Sequence, residues 1–382
     1  MVEEIKEPAR KLASIQVITA ISPIEGADRV EVARVLDWEC VVKKGDFKIG
    51  DKVIYFECDS ILPERPEFEF LRERKFRIKI IKLRKQISQG LIMPLNIISD
   101  MNFKDSDIGL DITEKLGVRK HDPQLKEEND LVGSQKNRSP ILKFFMNFAP
   151  FRFVYFKLFG KIKGNWPEWI SKTDENRIQT CARKLMDHYN EEWYITEKLD
   201  GQSCTVFTYN KKVWGLWKKH FGVCSRNIWL KSKSKNNYWE MVDKYNLQNK
   251  LMGEKEIIII QGEICGPGIQ KNKYKLENKE LFVYNIFKDG IQLSLEDMII
   301  VCQEMGLKTV PVEQYVFSPY KMIGGDKETS DVVKYMIKYS EGNSKLLKRK
   351  REGVVVRLRN NPAISFKVIN PQFLLEEKDD GE

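Results

Sequence analysis

Short apolar runs rich in β-favouring residues alternate with turn residues over the first part of the chain. Six runs share this pattern: residues 14–21, 29–36, 39–43, 52–58, 76–84 and 90–93. Turn signals such as Ser22-Pro23 and Gly50-Asp51 separate them. Five or six short strands in a segment of roughly 90 residues predict a small closed β-barrel, with the OB-fold as the leading candidate. We therefore expect a first domain over residues 1–120.

The fifth run carries most of the positive charge of this region. Between Arg72 and Lys85 stand eight basic residues and one acid, Glu73. The alternation slips phase at Ile80-Ile81, which predicts a β-bulge. A basic face that follows a phosphate backbone and a merely solvated sheet face both fit this pattern.

Residues 121–165 are predicted to connect the domains. The stretch 120–138 is polar, and the aromatic and basic run 144–159 fits packing between domains or, alternatively, nucleotide stacking. From residue 166 to 382 we expect a second domain. Thr173 is predicted to be the N-cap of a helix that extends to about residue 190, and a further helix is predicted at Leu295–Met305.

Charge and composition narrow the classes of function. The 382 residues include 65 basic and 55 acidic ones, a net charge of +10, which favours nucleic acid or anionic lipid as a partner. Seven scattered cysteines without Cys-x-x-Cys spacing argue against a disulfide framework or a zinc ribbon. We expect a cytoplasmic or nuclear protein, because no signal-peptide pattern is present, and no membrane association, because charges interrupt the apolar stretch 141–159.

One lysine stands at a bend between two predicted strands. Trp193-Tyr194-Ile195-Thr196 precedes Lys198, and residues 203–209 form the next β-favouring run. A lysine in a turn is ordinarily a solvated cation. As a nucleophile it must be neutral, and with a free pKa near 10.4 only about 0.04% of the side chain is neutral at pH 7. Burial or nearby positive charge, a metal ion included, would have to lower that pKa.

Later parts of the chain supply carboxylates and cations at strand ends. Glu263 follows an isoleucine run that predicts a strand buried on both faces, so its carboxylate must meet a cation or a metal. Glu352 begins a β-branched strand, Arg226 stands in a turn and Lys367 lies on the last predicted strand. Structural ion pairs remain the alternative for Glu263 and Glu352. The basic segment 345–351 fits a structural or phosphate-facing role better than a nuclear-import signal.

The order of these elements resembles a known superfamily. Lys198-Leu199-Asp200-Gly201 is followed by Ser225-Arg226-Asn227, Gly262-Glu263, Glu352-Gly353-Val354-Val355-Val356-Arg357 and Phe366-Lys367. This series is similar to the lysine-dependent nucleotidyltransferases, which include polynucleotide ligases and mRNA capping enzymes. Residues 21–28, 55–64 and 86–91 further resemble ATP-dependent RNA ligases whose OB domain precedes the catalytic domain, the fifth RNA ligase family. The resemblance implies an α+β fold: an N-terminal OB-like β-barrel, then a nucleotidyltransferase (ATP-grasp-like ligase) domain of antiparallel sheets with flanking helices.

The same resemblance implies roles for single residues. Lys198 would attack the α-phosphorus of ATP and form lysyl-AMP. Glu197 would lie beside adenine, Tyr284 or Phe282 would stack on it, and Lys367 would contact the α-phosphate; a core role for Tyr284 remains open. The nucleotide-binding residues implied are Glu197, Arg226, Glu263, Tyr284, Phe282 and Lys367. Hard oxygen ligands for Mg²⁺ or Mn²⁺ would come from Asp200, Glu263 and Glu352.

The implied activity is that of a monomeric ATP-dependent RNA ligase that joins 3′-OH and 5′-phosphate RNA ends through lysyl-AMP and RNA-adenylate. The alternatives are a capping-type guanylyltransferase, a DNA ligase and an inactive nucleic-acid-binding protein. Only 15 residues follow Lys367, so we expect no C-terminal OB domain of the kind that DNA ligases and capping enzymes carry, which argues against both. One departure is Ser365, where many ligases have a lysine, so that either a phosphate contact is missing or Arg357 replaces it.

Overall fold

The computed structural model describes residues 10–98, 104–121, 162–232 and 235–376. The aromatic and basic run 144–159 and most of the predicted linker lie outside these residues. An N-terminal curled sheet is followed by a sheet-rich domain with helices on its faces, which confirms the predicted α+β fold class.

The N-terminal domain is built around one long, bent strand. In chain order the strands are β1 (Ala13–Pro23), β2 (Val30–Val35), β3 (Trp38–Lys43), β4 (Lys52–Phe56), β5 (Ser60–Ile61), β6 (Ile80–Leu83), β7 (Gln86–Gln89), β8 (Leu91–Pro94) and β9 (Arg119–Lys120). Five of those described form an antiparallel sheet in the order β3-β2-β1-β4-β8. The first half of β1 pairs with β4 and the second half with β2, and the register shifts between Ile18 and Ala20. This bulge lets the strand bend, and the sheet curls into an OB-like half-barrel; among the described strands, β3 and β8 at its two edges do not pair, so the predicted closure is not seen.

Strand β4 is buried on both faces, which explains its unbroken apolar sequence. Ile54 and Phe56 pack on one face, under the 3₁₀ helix Pro66–Arg74 and its Phe68. Tyr55 packs on the other face against Trp38, and its hydroxyl donates to the Gln89 carbonyl oxygen at 2.9 Å. The two faces together form the core of this domain.

The strand predicted at residues 76–84 is shorter than expected, and the predicted bulge is wrong. Only Ile80–Leu83 is a strand, and it pairs with Gln86–Gln89 in continuous register. Lys75 and Phe76 have φ values of +52° and +58°, which lie outside the β region and end any extended run there. The slip at Ile80-Ile81 therefore marks the start of a strand rather than an extra residue within one.

The second domain has two sheets. Its strands are β10 (Ile162–Asn165), β11 (Trp193–Lys198), β12 (Gln202–Val213), β13 (Leu216–Cys224), β14 (Ile228–Leu230), β15 (Ile258–Cys265), β16 (Glu280–Lys288), β17 (Ile291–Gln292), β18 (Lys308–Thr309), β19 (Val312–Phe317), β20 (Gly353–Leu358) and β21 (Ser365–Ile369). Within the described part of the chain, the larger sheet has the order β10-β14-β13-β12-β15-β16-β17, with β18 beside β16, and the smaller one β19-β11-β20-β21. Consecutive strands β11 and β12 thus lie in different sheets, and the turn after Lys198 connects them.

Helices cover the outer faces of both sheets. They are α1 (Ile178–Asp187), α2 (Asn237–Lys244), α3 (Leu247–Gly253), α4 (Leu295–Met305), α5 (Pro319–Ile323), α6 (Thr329–Ser340) and α7 (Pro371–Glu376). Helices α2, α3 and α4 pack on the larger sheet, and α1 and α6 pack on the smaller one. In all described segments, none of the helices has the length and apolar character that a membrane crossing requires.

The two helix predictions have different outcomes. Helix α4 has the predicted bounds because both ends are marked: the Ser294 hydroxyl accepts from the Asp297 N–H at 3.1 Å, and Gly306 adopts a left-handed conformation. The predicted N-cap Thr173 is wrong, since α1 begins at Ile178 after an extended Arg177. The side chains of residues 173–175 instead make contacts far along the chain, described below.

The isoleucine run is a strand buried on both faces, as predicted. Ile258 and Ile260 face the helices of the larger core, and Ile259 packs on the opposite face with Trp166 and Phe207. This strand, β15, carries Glu263 near its end and pairs with β12. A rigid central strand therefore fixes the position of that carboxylate.

Candidate active site

The Lys198 turn lies at a pocket between the two sheets, and several residues of the N-terminal domain line the same pocket. Gly201 permits the close approach of β12 to β15 in this turn, because a Cβ there would overlap the Ile264 carbonyl oxygen and Cys265 Sγ. The Asp200 N–H donates to the Tyr274 hydroxyl at 2.8 Å. The turn is thus held by backbone packing and one buried tyrosine.

Strand pairing brings Glu352 to Lys198. In the antiparallel pair β11–β20, Lys198 stands opposite Gly353, the residue after Glu352. Lys198 Nζ lies 2.7 Å and 2.8 Å from the two carboxylate oxygens of Glu352. Both side chains are mostly withdrawn from solvent, with 27% and 15% exposed. The sequence separates these residues widely, and the sheet places them in one ion pair.

The protein keeps this lysine charged when it is alone. Burial by itself would lower the pKa of Lys198, but the carboxylates of Glu352 and Glu263 outweigh it and raise that pKa above its ordinary value. A nucleophilic lysine needs the opposite shift. A nucleophilic role for Lys198 would therefore require positive charge to enter the pocket or negative charge to be neutralised there.

Glu263 and Asp200 complete a group of carboxylates around Lys198. Burial, together with the nearby charges of Glu352 and Asp200, raises the pKa of Glu263 to about 8 against the opposing effect of Lys198. Asp200 forms an ion pair with Lys273. In the described residues, no three acidic, histidine or cysteine side chains converge closely enough to ligate one ion by themselves.

A second charged centre lies across the pocket, at Asp174. Both Asp174 oxygens lie 3.1 Å from Arg226 Nη2, one lies 3.4 Å from Lys367 Nζ, and Lys120 also pairs with this carboxylate. Although burial opposes it, the cations of Lys367, Arg226 and Lys120 hold the pKa of Asp174 far below its usual range. Sequence reasoning found Arg226 and Lys367 but assigned Asp174 to a helix start.

Lys367 is a buried amine whose positive charge is only partly stabilised by its neighbours. Burial lowers its pKa to about 7, and Asp174 offsets only part of that effect. Its side chain is 10% exposed. An anion bound nearby would therefore raise the pKa of Lys367, which would take up a proton at neutral pH.

Glu175 explains the unusual serine of the last strand. Its two carboxylate oxygens contact Arg357 Nη2 at 3.2 Å and Ser365 Oγ at 2.5 Å. Arg357 Nη1 also reaches the Thr196 hydroxyl at 3.4 Å. Arg357 thus lines the pocket as a cation already shared with Glu175. Sequence reasoning did not assign Glu175 to the site.

The two aromatic candidates on β16 differ in position. Tyr284 lines the pocket, where its hydroxyl lies 3.3 Å from Ser203 Oγ, which in turn lies 3.2 Å from Thr173 Oγ1. Phe282 is buried in an apolar cluster with Leu199 and does not line the pocket. Of the two candidate rings, Tyr284 is therefore the one that lies at the pocket.

Glu197 presents one open acceptor. It is 1% exposed, and its Oε2 accepts the Lys345 N–H at 3.0 Å. Its Oε1 is buried with no hydrogen-bond partner in the part of the chain that the structure describes. Burial raises the pKa of Glu197. The basic segment that includes Lys345 has a structural role, since Arg351 is buried against Glu313 at 2.6 Å.

The N-terminal domain contributes charged residues to the pocket. Asp59 accepts from Arg77 and from Arg177 of the second domain, each at 2.9 Å. Arg10 lies close by, donating to Glu57 at 2.5 Å and to the Cys58 carbonyl oxygen at 2.8 Å. Sequence reasoning missed these residues because only the packing of the two domains brings them to Lys198.

Comparisons with known proteins agree with this architecture. A family profile described as an OB-fold domain matches residues 12–95, and one described as RNA ligase matches residues 191–369. No curated protein matches the sequence.

Solved structures of an RNA ligase from Naegleria gruberi are similar over nearly the whole chain. A variant with AMP and Mn has 27% sequence identity and a TM-score of 0.75, covering 97% of this chain and 100% of its own. A variant with ATP and Mn has 27% identity and a TM-score of 0.76, with the same coverage. A structure of that ligase with PPi has 27% identity and a TM-score of 0.75, and covers 97% of this chain and 99% of its own.

Proposed function

Because the chain is an RNA ligase with an N-terminal OB-fold domain, we propose that it joins 3′-OH and 5′-phosphate RNA ends through AMP bound first to Lys198 and then to the RNA. ATP is the source of that AMP; related structures contain ATP or AMP with Mn. The observation that carries the proposal is the position of Lys198 Nζ, 2.7 Å from Glu352, at a pocket that contains carboxylates on one side and cations on the other.

Adenine is the base that this pocket favours. Tyr284 offers a ring for stacking, and the unpartnered Glu197 Oε1 offers a hydrogen-bond acceptor. The exocyclic amino group of adenine is a donor that would satisfy it, whereas guanine has an acceptor oxygen at the corresponding position. A buried acceptor left unpaired discriminates strongly between two such ligands.

The phosphate chain belongs on the cationic side of the pocket. Lys367 and Arg226 are placed to contact phosphate oxygens, in exchange for part of their pairing with Asp174. Charge-assisted hydrogen bonds of this kind are among the stronger polar contacts. They would hold the α-phosphorus within reach of Lys198 Nζ and align the leaving pyrophosphate.

The first step would transfer AMP from ATP to Lys198. A proton leaves the Lys198 ammonium for the Glu352 carboxylate, which is already hydrogen-bonded to it, and passes on to solvent. The neutral amine then forms an N–P bond with the α-phosphorus while the bond from that phosphorus to the bridging oxygen breaks, and pyrophosphate departs. Next, an oxygen of the RNA 5′-phosphate attacks the phosphorus of the lysyl-AMP, the N–P bond breaks, and the Lys198 amine leaves as RNA-adenylate forms. Finally the 3′-OH attacks the activated 5′-phosphorus, AMP leaves and the phosphodiester is made.

The carboxylates around Lys198 suit a divalent cation. Asp200, Glu263 and Glu352 supply hard oxygen atoms, and the raised pKa of Glu263 marks an excess of negative charge that a cation would relieve. Mg²⁺ typically takes one or two carboxylates together with substrate phosphates and water, which fits a site where no three described side chains converge. Such an ion would offset phosphate charge and disfavour the ammonium form of Lys198.

The test uses a 5′-phosphorylated RNA with ATP and Mg²⁺ or Mn²⁺. We expect RNA-adenylate and a joined product, and neither with a 5′-OH RNA. The Lys198→Ala variant should fail with ATP and yet join RNA that already carries 5′-linked AMP, because the last step does not use the amine. Labelling from GTP alone would support a capping-type transferase instead. Failure with both nucleotides would contradict the proposal.

A further inference from the structure

The hairpin of β12 and β13 ends in an exposed turn that holds a tryptophan in an unfavourable backbone conformation. Trp214 and Gly215 form the turn, with φ values of +52° and +83°. Two-residue turns of this kind favour Asn or Gly, and a bulky residue at positive φ is an outlier. Such outliers point to function where folding alone offers no reason for them.

Packing within the protein does not explain this conformation, because the side chains at the tip of the hairpin are exposed to solvent. Trp214 is 97% exposed, Trp217 is 71% exposed and Leu216 is 68% exposed. In the described segments neither tryptophan stacks on another aromatic ring, whereas Trp169, also on this domain, packs on Phe207. Large apolar surface left in water is unfavourable. Several such side chains together mark an interaction site.

The hairpin is also strongly cationic. Lys211, Lys212 and Lys218 are exposed, and among the described residues their ammonium groups make no hydrogen bond or ion pair. Lys211 stands directly opposite Lys218 in the strand pair, an arrangement of like charges that destabilises a sheet. Lys219 donates to the carbonyl oxygens of Glu254 and Glu256, both at 2.7 Å. A bound polyanion would relieve the repulsion between Lys211 and Lys218.

Exposed aromatic faces between lysines are the surface that single-stranded nucleic acid requires, because bases stack on the rings and phosphates meet the cations. We propose that this tryptophan hairpin, residues 211–219, binds the single-stranded part of an RNA substrate away from the ends being joined. The inference rests on the proposed function for its choice of RNA over other polyanions. The bases would stack on Trp214 and Trp217, and the phosphates would contact Lys211, Lys212 and Lys218.

The position of the hairpin fits this role. Strand β12 begins beside the Lys198 turn, with Ser203 at the pocket, and reaches Trp214 at its far end. Eleven residues at about 3.3 Å each make the span at most about 36 Å. That distance equals about ten nucleotides at ~3.4 Å per stacked base. One strand therefore connects the reaction site to the tip, and RNA that extends this far beyond its end would reach it.

Binding of a 5′-OH RNA tests the hairpin independently of ligation. A fluorescent single strand of about 20 nucleotides, a length that spans the distance to the tip, is titrated with wild-type protein and with the Trp214→Ala/Trp217→Ala variant, without ATP. We expect Kd to rise at least about 30-fold, since each of the two lost stacking contacts weakens single-strand binding at least about fivefold. Replacement by Phe should restore most of the affinity. The matched control is Tyr315→Ala, which removes a 56% exposed ring elsewhere on the same domain and should leave Kd unchanged.

Two further measurements separate the possible partners. Changing Lys211, Lys212 and Lys218 to Gln should reduce the slope of log K against log salt by about 2, given ~0.7 per phosphate contact for single strands. In all hairpin variants, Lys198 should be labelled from ATP as in the wild type. A failure of the proposed chemistry would therefore be distinguished from a failure of the hairpin to bind RNA. Unchanged RNA affinity in the Trp variant would overturn the proposal. The proposal would also be overturned if the Trp variant kept its RNA affinity but no longer sedimented with phosphatidylserine vesicles. The same holds if it kept its RNA affinity but no longer self-associated.

Discussion

Lys198 Nζ is hydrogen-bonded to both carboxylate oxygens of Glu352, at 2.7 Å and 2.8 Å, so the candidate nucleophile of this ligase rests as half of an ion pair. Glu352 is the strongest electrostatic contributor that raises the pKa of Lys198 against burial. In the proposed mechanism, this pairing would keep the amine unreactive until nucleotide and cation enter. The pair thus links reactivity to occupancy of the pocket.

Removing the Glu352 charge should make Lys198 more reactive in the empty protein and less active in catalysis. With Glu352→Gln, burial is less well compensated and the pKa of Lys198 falls, so more neutral amine is present at pH 8. We expect acetylation of Lys198 by acetic anhydride to be faster, because the rate follows the fraction of neutral amine. Peptide mass spectrometry measures this site by site, without nucleotide or metal.

The matched control for that experiment is Glu376→Gln. Glu376 pairs with Lys350 on the protein surface, so its replacement should leave acetylation of Lys198 unchanged. Equal rates in Glu352→Gln and wild type would show that the carboxylate does not govern the amine. AMP transfer from ATP should nevertheless decrease in Glu352→Gln, because the carboxylate also receives the proton.

ATP binding should take up a proton through Lys367. Its pKa is about 7 in the free protein, so at pH 8 most of this amine is neutral, and a nearby phosphate raises the pKa and recharges it. Uptake should therefore occur above pH 7, and ATP affinity should fall as pH rises through that range. Calorimetry in buffers of different ionisation enthalpy, with EDTA to prevent reaction, should find up to about one proton per ATP. Lys367→Met should abolish the uptake.

Divalent cation binding should release a proton from Glu263. The pKa of this carboxyl is about 8, so it is largely protonated at pH 7, and a neighbouring cation lowers that pKa and expels the proton. Mn²⁺ titration near pH 7 should therefore acidify a weakly buffered solution, and Glu263→Gln should remove the effect. Release that persists in this variant would place the titrating group elsewhere.

Asp59 should stabilise the contact between the domains in a pH-dependent way. Burial raises its pKa, but Arg177 and Arg77 outweigh this and lower it to about 2. Because its pKa is lowered on folding, the ionised Asp59 carboxylate stabilises the folded protein above about pH 4, and this stabilisation is lost as pH falls toward 2. A shift of this size corresponds to about 2 kcal/mol. Asp59→Asn should cost at least about this much at pH 7 in urea unfolding, and the loss should shrink toward pH 2. Lys43→Gln, which alters an exposed pair with Asp46, is the control.

Local signals in the sequence correctly predicted the elements whose structure is set by residues close together in the chain. Helix α4 was placed correctly because Ser294 and Gly306 mark its ends, and β15 because four consecutive isoleucines need burial on both faces. The Lys198 turn was found from the β-favouring runs beside it. Where residues at the end of a strand or helix themselves stop it, the sequence alone predicts the boundary.

Tertiary contacts decided the remainder. Thr173 matches an N-cap pattern, but the segment after it stays extended because Asp174 and Glu175 pair with cations from three other elements. Phe282 and Tyr284 occupy equivalent positions in the alternation, and only their tertiary surroundings distinguish them, since Phe282 is buried in an apolar cluster and Tyr284 lines the pocket. Asp59 enters the site because of domain packing, for which a single sequence contains no local signal.

The most direct test of the account is the identity of the residue that carries AMP. Wild-type protein is incubated with ATP and Mn²⁺, digested at neutral to alkaline pH, where a phosphoramidate survives, and analysed by peptide mass spectrometry. The account predicts one AMP on Lys198, none in Lys198→Ala, and loss of the wild-type label when 5′-phosphorylated RNA is added. AMP on any other side chain, or label that persists unchanged in Lys198→Ala, would contradict it.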